Sequence, residues 1–200
     1  AGASEPDGYT FNGPAGGGQT LISDSFSGGS WSSSWLDGVT TTGATATIDT
    51  GRGKLYAGSL TNYNGKKSMR ANLSARLDTD ITVTFEYDST EAYFNVILRA
   101  DSSDDGAYGY YCRVEKGTTN NVELAQISNY SSVQQFLLGS FTINAGTKYK
   151  MRFQVDEDTG TTAIRLKLWA ASGSEPGTWN MLDTTDSTPY TTAGYCLLTC

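Results

Sequence analysis

From residue 21 onward, hydrophobic and polar residues alternate one by one in short runs separated by Gly, Ser, Asp and Thr. In "ITVTFEY", Ile81, Val83, Phe85 and Tyr87 share one side and Thr82, Thr84 and Glu86 the other, the period of two that a half-buried strand shows. "AYFNVILRA" sets Phe94, Val96 and Leu98 against Tyr93, Asn95, Ile97 and Arg99, and the short "DSTE" connection before it predicts a hairpin. "GYYCRVE" groups Tyr111, Arg113 and Glu115. "KYKMRFQV" sorts Tyr149, Met151, Phe153 and Val155 from Lys150, Arg152 and Gln154, and "AIRLKLW" sorts Ile164, Leu166 and Leu168 from Arg165, Lys167 and Trp169. No run holds a helical spacing over about eleven residues, so no helix longer than two turns is expected. Many short strands joined by turns predict an all-β sandwich or barrel.

Residues 1–20, "AGASEPDGYTFNGPAGGGQT", lack any period. They read as an extended N-terminal arm ahead of a single domain over 21–200, held in place by docking onto a neighbouring subunit. A chain of 200 residues can bury roughly 70% of its unfolded surface around one core.

Composition narrows the chemistry. A net charge of −7 argues against nucleic acid as a partner. The absence of histidine removes the usual general base near neutral pH, the Ser-His and Cys-His nucleophile pairs and the commonest zinc ligand. Cys112, Cys196 and Cys200 have no metal-knuckle spacing and read as small buried hydrophobes. On one strand Cys196 and Cys200 would stand about 13 Å apart, too far to bridge, although either could meet Cys112 across a sheet. No window reaches the ~18 apolar residues of a membrane span, and no charged-then-apolar leader opens the chain.

The polar sides of these strands carry the candidate binding residues Tyr93, Asn95, Arg99, Tyr111, Arg113, Arg152, Arg165, Lys167 and Trp169, expected on one side of a sheet. Aromatic faces cover sugar C–H surfaces while Arg and Asn supply directional hydrogen bonds, a pairing that suits a glycan. The same residues would also serve as a solvated face stabilised by cross-strand pairs. Acidic turns offer hard oxygen ligands for calcium, the one cofactor these residues suggest: Asp101, Asp104 and Asp105 in "DSSDDG", then Asp156, Glu157 and Asp158 in "VDEDTG". Neither matches the EF-hand loop. Asn72 and Asn129 open sequons to which no role is assigned.

The strings "DSFSGGSWSSSW", "FEYDSTEAYFNVILRADSSDDGAYGYYCRVE", "KLWAASGSEPGTWNMLD" and "AGYCLL" resemble concanavalin A-like, laminin-G-type jelly rolls over about residues 22–199. They are similar to the versions in tail and capsid-surface proteins of phages infecting actinobacteria and in bacterial secreted proteins. The resemblance implies an antiparallel two-sheet jelly-roll sandwich that often binds carbohydrate on a concave face or rim. It also implies that Pro176 fixes a long turn bringing Trp179 under the sheet. Relatives usually continue past "AGYCLL" into a further strand, so closure of the sheet is expected either to differ or to be completed by the arm or a neighbour. "EYDSTE" (Glu86, Asp88, Glu91) has the ExDxxE spacing of jelly-roll glucanases, but it straddles a strand end and a turn, so the expectation is a protein that is not an enzyme. The resulting expectation is a virion-surface or extracellular module that binds host-surface glycan and is a homo-oligomer. Two alternatives stand beside it. One is a decoration protein joined to neighbouring virion subunits through residues 1–20, and the other a secreted glycoside hydrolase-like enzyme.

Overall fold

Each alternating run forms a strand, because sheet pairing buries every second side chain while satisfying the backbone amides. The computed structural model describes residues 9–12, 20–40, 44–49, 51–56, 67–87, 92–101, 107–117, 120–158 and 161–200, and among them there is no helix. The strands are β1 (Tyr9–Asn12), β2 (Thr20–Asp24), β3 (Trp35–Thr40), β4 (Thr45–Asp49), β5 (Arg52–Tyr56), β6 (Lys67–Ala71), β7 (Thr79–Phe85) and β8 (Ala92–Ala100). They continue with β9 (Gly109–Lys116), β10 (Asn121–Ser128), β11 (Ser131–Ser140), β12 (Tyr149–Asp158), β13 (Thr161–Ala170), β14 (Leu182–Asp186) and β15 (Tyr195–Thr199).

Two antiparallel sheets make a jelly-roll-like sandwich, one ordered β14-β13-β12-β7-β1-β2 and the other β11-β10-β9-β8-β15-β6-β3. Their inner faces form one core, with Ile81, Val83, Met151, Phe153, Leu166 and Leu168 from the six-stranded sheet and Val96, Leu98, Tyr110, Cys112, Val114 and Leu124 from the seven-stranded sheet. Hydrogen bonds cross this core: the Tyr87 hydroxyl donates to the Val114 carbonyl (2.5 Å) and the Tyr110 hydroxyl to Asp186 (2.7 Å). The separate β4–β5 hairpin closes one side, with Gly53 set so tightly against Phe26 and Trp31 that a Cβ there would come within 2.9 Å of both rings.

The hairpin expected across "DSTE" does not form. β7 pairs with β12 and β1, whereas β8 pairs with β9 and β15, so the chain crosses between sheets at that point. Alternation is equally strong on both sides of such a crossing, and a short connection alone does not distinguish the two topologies. Within the Gly-rich opening, Tyr9–Asn12 is β1, flanked by β2 and β7, with Tyr9 opposite Val83 and Phe11 opposite Ile81. This stretch of the expected arm is therefore a strand of the chain's own sheet; residues 1–8 and 13–19 lie outside the described residues.

Candidate functional site

The residues expected on one face are divided between two. β8 and β9 belong to the seven-stranded sheet and β12 and β13 to the six-stranded sheet. Tyr93, Asn95, Tyr111 and Arg113 therefore occupy the outer face of one sheet, and Arg152, Arg165, Lys167 and Trp169 the outer face of the other. Alternation tells which residues of a strand share a side, but not which strands share a sheet.

Arg99 lies on neither face. Opposite β15, the pairing passes from Tyr195↔Ala100 to Leu197↔Ile97, so Leu98 and Arg99 together face Cys196. This bulge sets Arg99 at φ 54° and turns its side chain inward. The side chain is 0% exposed. Its guanidinium donates to the carbonyls of Leu77 (2.7 Å) and Tyr190 (2.7 Å), to Thr162 Oγ1 (2.9 Å) and to Glu157 (3.4 Å). Gly194 makes room for the bulge, since a Cβ there would stand 2.3 Å from the Arg99 carbonyl carbon. Arg99 is thus a fastening between the sheets and is removed from the set of glycan-binding candidates.

On the seven-stranded face, register aligns Glu123, Arg113, Asn95 and Thr199 in one row across β10, β9, β8 and β15. Asn95 Nδ2 donates to Thr199 Oγ1 (2.9 Å), and Asn95 Oδ1 accepts from Arg113 Nε (3.2 Å). The Arg113 guanidinium lies 5.2 Å from the Tyr111 ring centroid and 5.7 Å from that of Tyr93. Its side chain nevertheless remains 43% exposed, with Glu123 3.6 Å away. Glu123 also accepts from Gln135 Nε2 (3.0 Å) and Ser132 Oγ (3.4 Å), and Ser132 meets the Tyr111 hydroxyl at 3.2 Å. Burial raises both phenols, Tyr111 to about 12, so at neutral pH each is a neutral ring with a hydroxyl to share. Beside this row on the same face lies a buried apolar one, Ala125, Tyr111, Ile97 and Leu197, which anchors the Tyr111 ring. Glu123, Ser132, Gln135 and Thr199 were not among the sequence candidates. The alternation of "NVELAQI", with Val122 and Leu124 buried and Glu123 between them, carries the signal for the first of these.

The six-stranded face is closed by its own ion pairs. Arg152 grips Asp80 through Nε (3.0 Å) and Nη2 (2.5 Å) and reaches Glu175 Oε1 through Nη1 (2.9 Å). Lys167 donates to Glu175 Oε1 (2.7 Å) and to the Pro176 carbonyl (2.7 Å). Burial alone would raise the Glu175 carboxyl, but the hydrogen bonds from Lys167 and Arg152 outweigh it and hold the group below the usual carboxylate value. Arg165 engages Asp183 (3.1 Å) and Gln154 (3.1 Å). Trp179 does not take the place expected of it, and Trp169, on the outer face as alternation predicts, is covered there. Trp179 is half-buried outside the sheet, under the Arg152 and Lys167 cations (5.2 and 4.8 Å), while Trp169 is the buried ring at 7% exposure. Lys167 draws the 171–181 turn over the outer face rather than under the sheet, and Trp179 travels with it.

Among the described residues no group of three acidic, Cys or His side chains gathers as a metal site. Asp101 follows directly on β8, while Asp104 and Asp105 lie outside the described residues, as do Asp88 and Glu91 of "EYDSTE". Glu86 is paired with Arg52 (3.0 Å). Cys112, Cys196 and Cys200 are unbridged, and burial raises the Cys112 thiol well above its ordinary value.

No protein-family model matches the chain, and no curated protein matches it significantly. Among solved structures it is similar to the carbohydrate-binding module CBM66 from Bacillus subtilis, with a TM-score of 0.52 at 14% identity, covering 84% of this chain and 87% of that one. A protein of unknown function from Shewanella oneidensis MR-1 aligns with a TM-score of 0.48 at 12% identity, covering 96% of this chain and 77% of that one. At such identity the CBM66 likeness is one of fold.

Proposed function

We propose that this chain is a non-catalytic carbohydrate-binding module whose site is the outer face of the seven-stranded sheet around Arg113. The observation that carries this reading is the half-exposed Arg113 guanidinium, fixed over two aromatic rings and oriented by Asn95. A preset donor fork beside an aromatic edge matches what a pyranose or furanose presents, hydroxyls in a plane and C–H groups above it. Gln135 and Glu123 extend the polar rim, and the buried row beside it holds the platform rigid, which lowers the ordering cost of binding. Glu123 accepts from Gln135 and Ser132 and faces Arg113, so its carboxylate oxygens stand on the rim where ligand hydroxyls would donate. The shared sandwich with a protein described as a carbohydrate-binding module supports the same class. On the outside of a cell or virion such a module would meet host-surface glycan directly.

The test is a glycan-array screen followed by affinity electrophoresis in the captured polysaccharide, with and without chelator. The expected outcome is retention of the wild type, loss of retention in Arg113→Ala and in Tyr93→Ala with melting temperature nearly unchanged, and full retention in Arg165→Ala on the opposite face. Chelator is expected to leave retention intact, because the glycan contacts proposed are made by side chains directly. Absence of any bound glycan, or equal retention of Arg113→Ala, would overturn the reading.

A further inference from the structure

We infer that the Arg113 site takes neutral glycans and refuses uronic, sialylated and sulfated ones. One hydroxyl of the sugar bridges Arg113 and Glu123, and a C–H face of the sugar lies on Leu138. The inference rests on the carbohydrate-binding reading above and names the class of glycan within it. Register sets the three side chains next to one another on one face: Leu138 of β11 stands opposite Glu123 of β10, which stands opposite Arg113 of β9. At the usual strand spacing the row runs about 10 Å across the sheet. Solvent reaches all of it, since the side chains of Arg113 and Glu123 are 43% and 16% exposed and Leu138 is 64% exposed. Leu137 packs against the core, so alternation turns Leu138 outward, where it supplies an apolar wall beside two polar groups.

Hydrogen-bonding capacity identifies the class. Among the described residues Arg113 makes one hydrogen bond, from Nε to Asn95 Oδ1, so its Nη groups still carry N–H donors for a ligand. Glu123 Oε1 accepts from Gln135 and Ser132, while Oε2 faces Arg113 Nη1 at 3.6 Å. That gap is too long for a hydrogen bond and short enough for one oxygen to accept from Nη1 and donate to Oε2 at once. A sugar hydroxyl does both. A carboxylate or sulfate carries acceptors only, so it would satisfy Nη1 but meet Glu123 oxygen against oxygen, both negative. Glu115 stands two residues further along the same side of β9, so two carboxylates flank one guanidinium, and the net charge of −7 adds to the repulsion.

An array that carries neutral glycans beside their sialylated, sulfated and uronic-acid counterparts tests this, probed at low and high salt with wild type, Glu123→Gln and Leu138→Ser. Wild type is expected to bind neutral glycans, with each acidic counterpart about tenfold or more weaker. Because no ligand charge is paired, binding should be nearly independent of salt. Glu123→Gln keeps an oxygen for Gln135 and Ser132 but gives up the charge. It is expected to bind neutral glycans about tenfold more weakly and to discriminate less against acidic ones, with melting temperature nearly unchanged. Leu138→Ser is expected to weaken binding severalfold while the preference for neutral glycans stays. Binding that depends on Arg113 yet favours acidic glycans would overturn this inference and leave the carbohydrate-binding reading standing, as would a Glu123→Gln or Leu138→Ser variant that binds like wild type. Absence of any bound glycan, or binding indifferent to Arg113→Ala, would overturn both.

Discussion

The two outer faces of the sandwich use the same residue types to opposite ends. Each sets a guanidinium beside aromatic rings on alternating strand positions, Arg113 with Tyr93 and Tyr111 on one, Arg152 with Trp179 on the other. Arg152 has the Asp80 carboxylate gripped through two nitrogens and Glu175 through a third, and Lys167 shares Glu175 with it. Among the described residues Arg113 has one carboxylate within 4 Å, at 3.6 Å, and that carboxylate is shared with Gln135 and Ser132. The number of acids within reach, rather than the presence of Arg and an aromatic ring, separates a latch from an open surface. A cation surrounded by its own counter-ions has little left to offer a ligand.

The contrast breaks most completely at Arg99, which ties the seven-stranded sheet to β12 and β13 of the other. Arg99→Ala leaves two carbonyls, a hydroxyl and the Glu157 carboxylate without their donor, and a loss of about 3 kcal/mol in urea denaturation is expected. The latch sharpens the contrast next. Glu175→Gln is expected to lose about 1 kcal/mol or less at neutral pH, less still at high salt, with glycan retention untouched. The sign in pH follows from the lowered Glu175 carboxyl, whose contribution is fully present above its unfolded value of about 4.3 and is lost as pH falls through the lower folded value. Acid titration of stability should therefore be shallower in the variant than in wild type below that pH. The smallest effect is expected for Tyr111→Phe, which keeps the ring under Arg113 and removes the hydroxyl contact to Ser132. A stability change under about 1 kcal/mol and retained glycan binding are expected; loss of binding would assign the recognition to the hydroxyl instead of the ring.

Strand identity was legible wherever alternation was clean, as in β7, β8, β9, β12 and β13. The side each residue takes was legible too, for Asn95 and Arg113 as for Phe153 and Leu166. Three things were not. Partner strands were hidden because a crossover and a hairpin share the same local pattern, which divided one expected face into two. Arg99 was hidden because a single bulge resets parity at the end of an otherwise regular strand. The outward place of Trp179 was hidden because the path of the 171–181 turn is decided by a lysine reaching a carbonyl, a contact with no signature in spacing.

The inward turn of Arg99 also orders events in time. Three of its four acceptors come from positions 157, 162 and 190, so those bonds close only after β12, β13 and the approach to β15 have arrived, and the Leu77 carbonyl alone is near in sequence. Contacts of such long sequence separation form late in folding. The guanidinium therefore acts as a bolt on the finished molecule, and removing it should leave the refolding rate nearly unchanged while unfolding accelerates. The lifetime of the folded chain, rather than its ability to fold, is what this one cation governs.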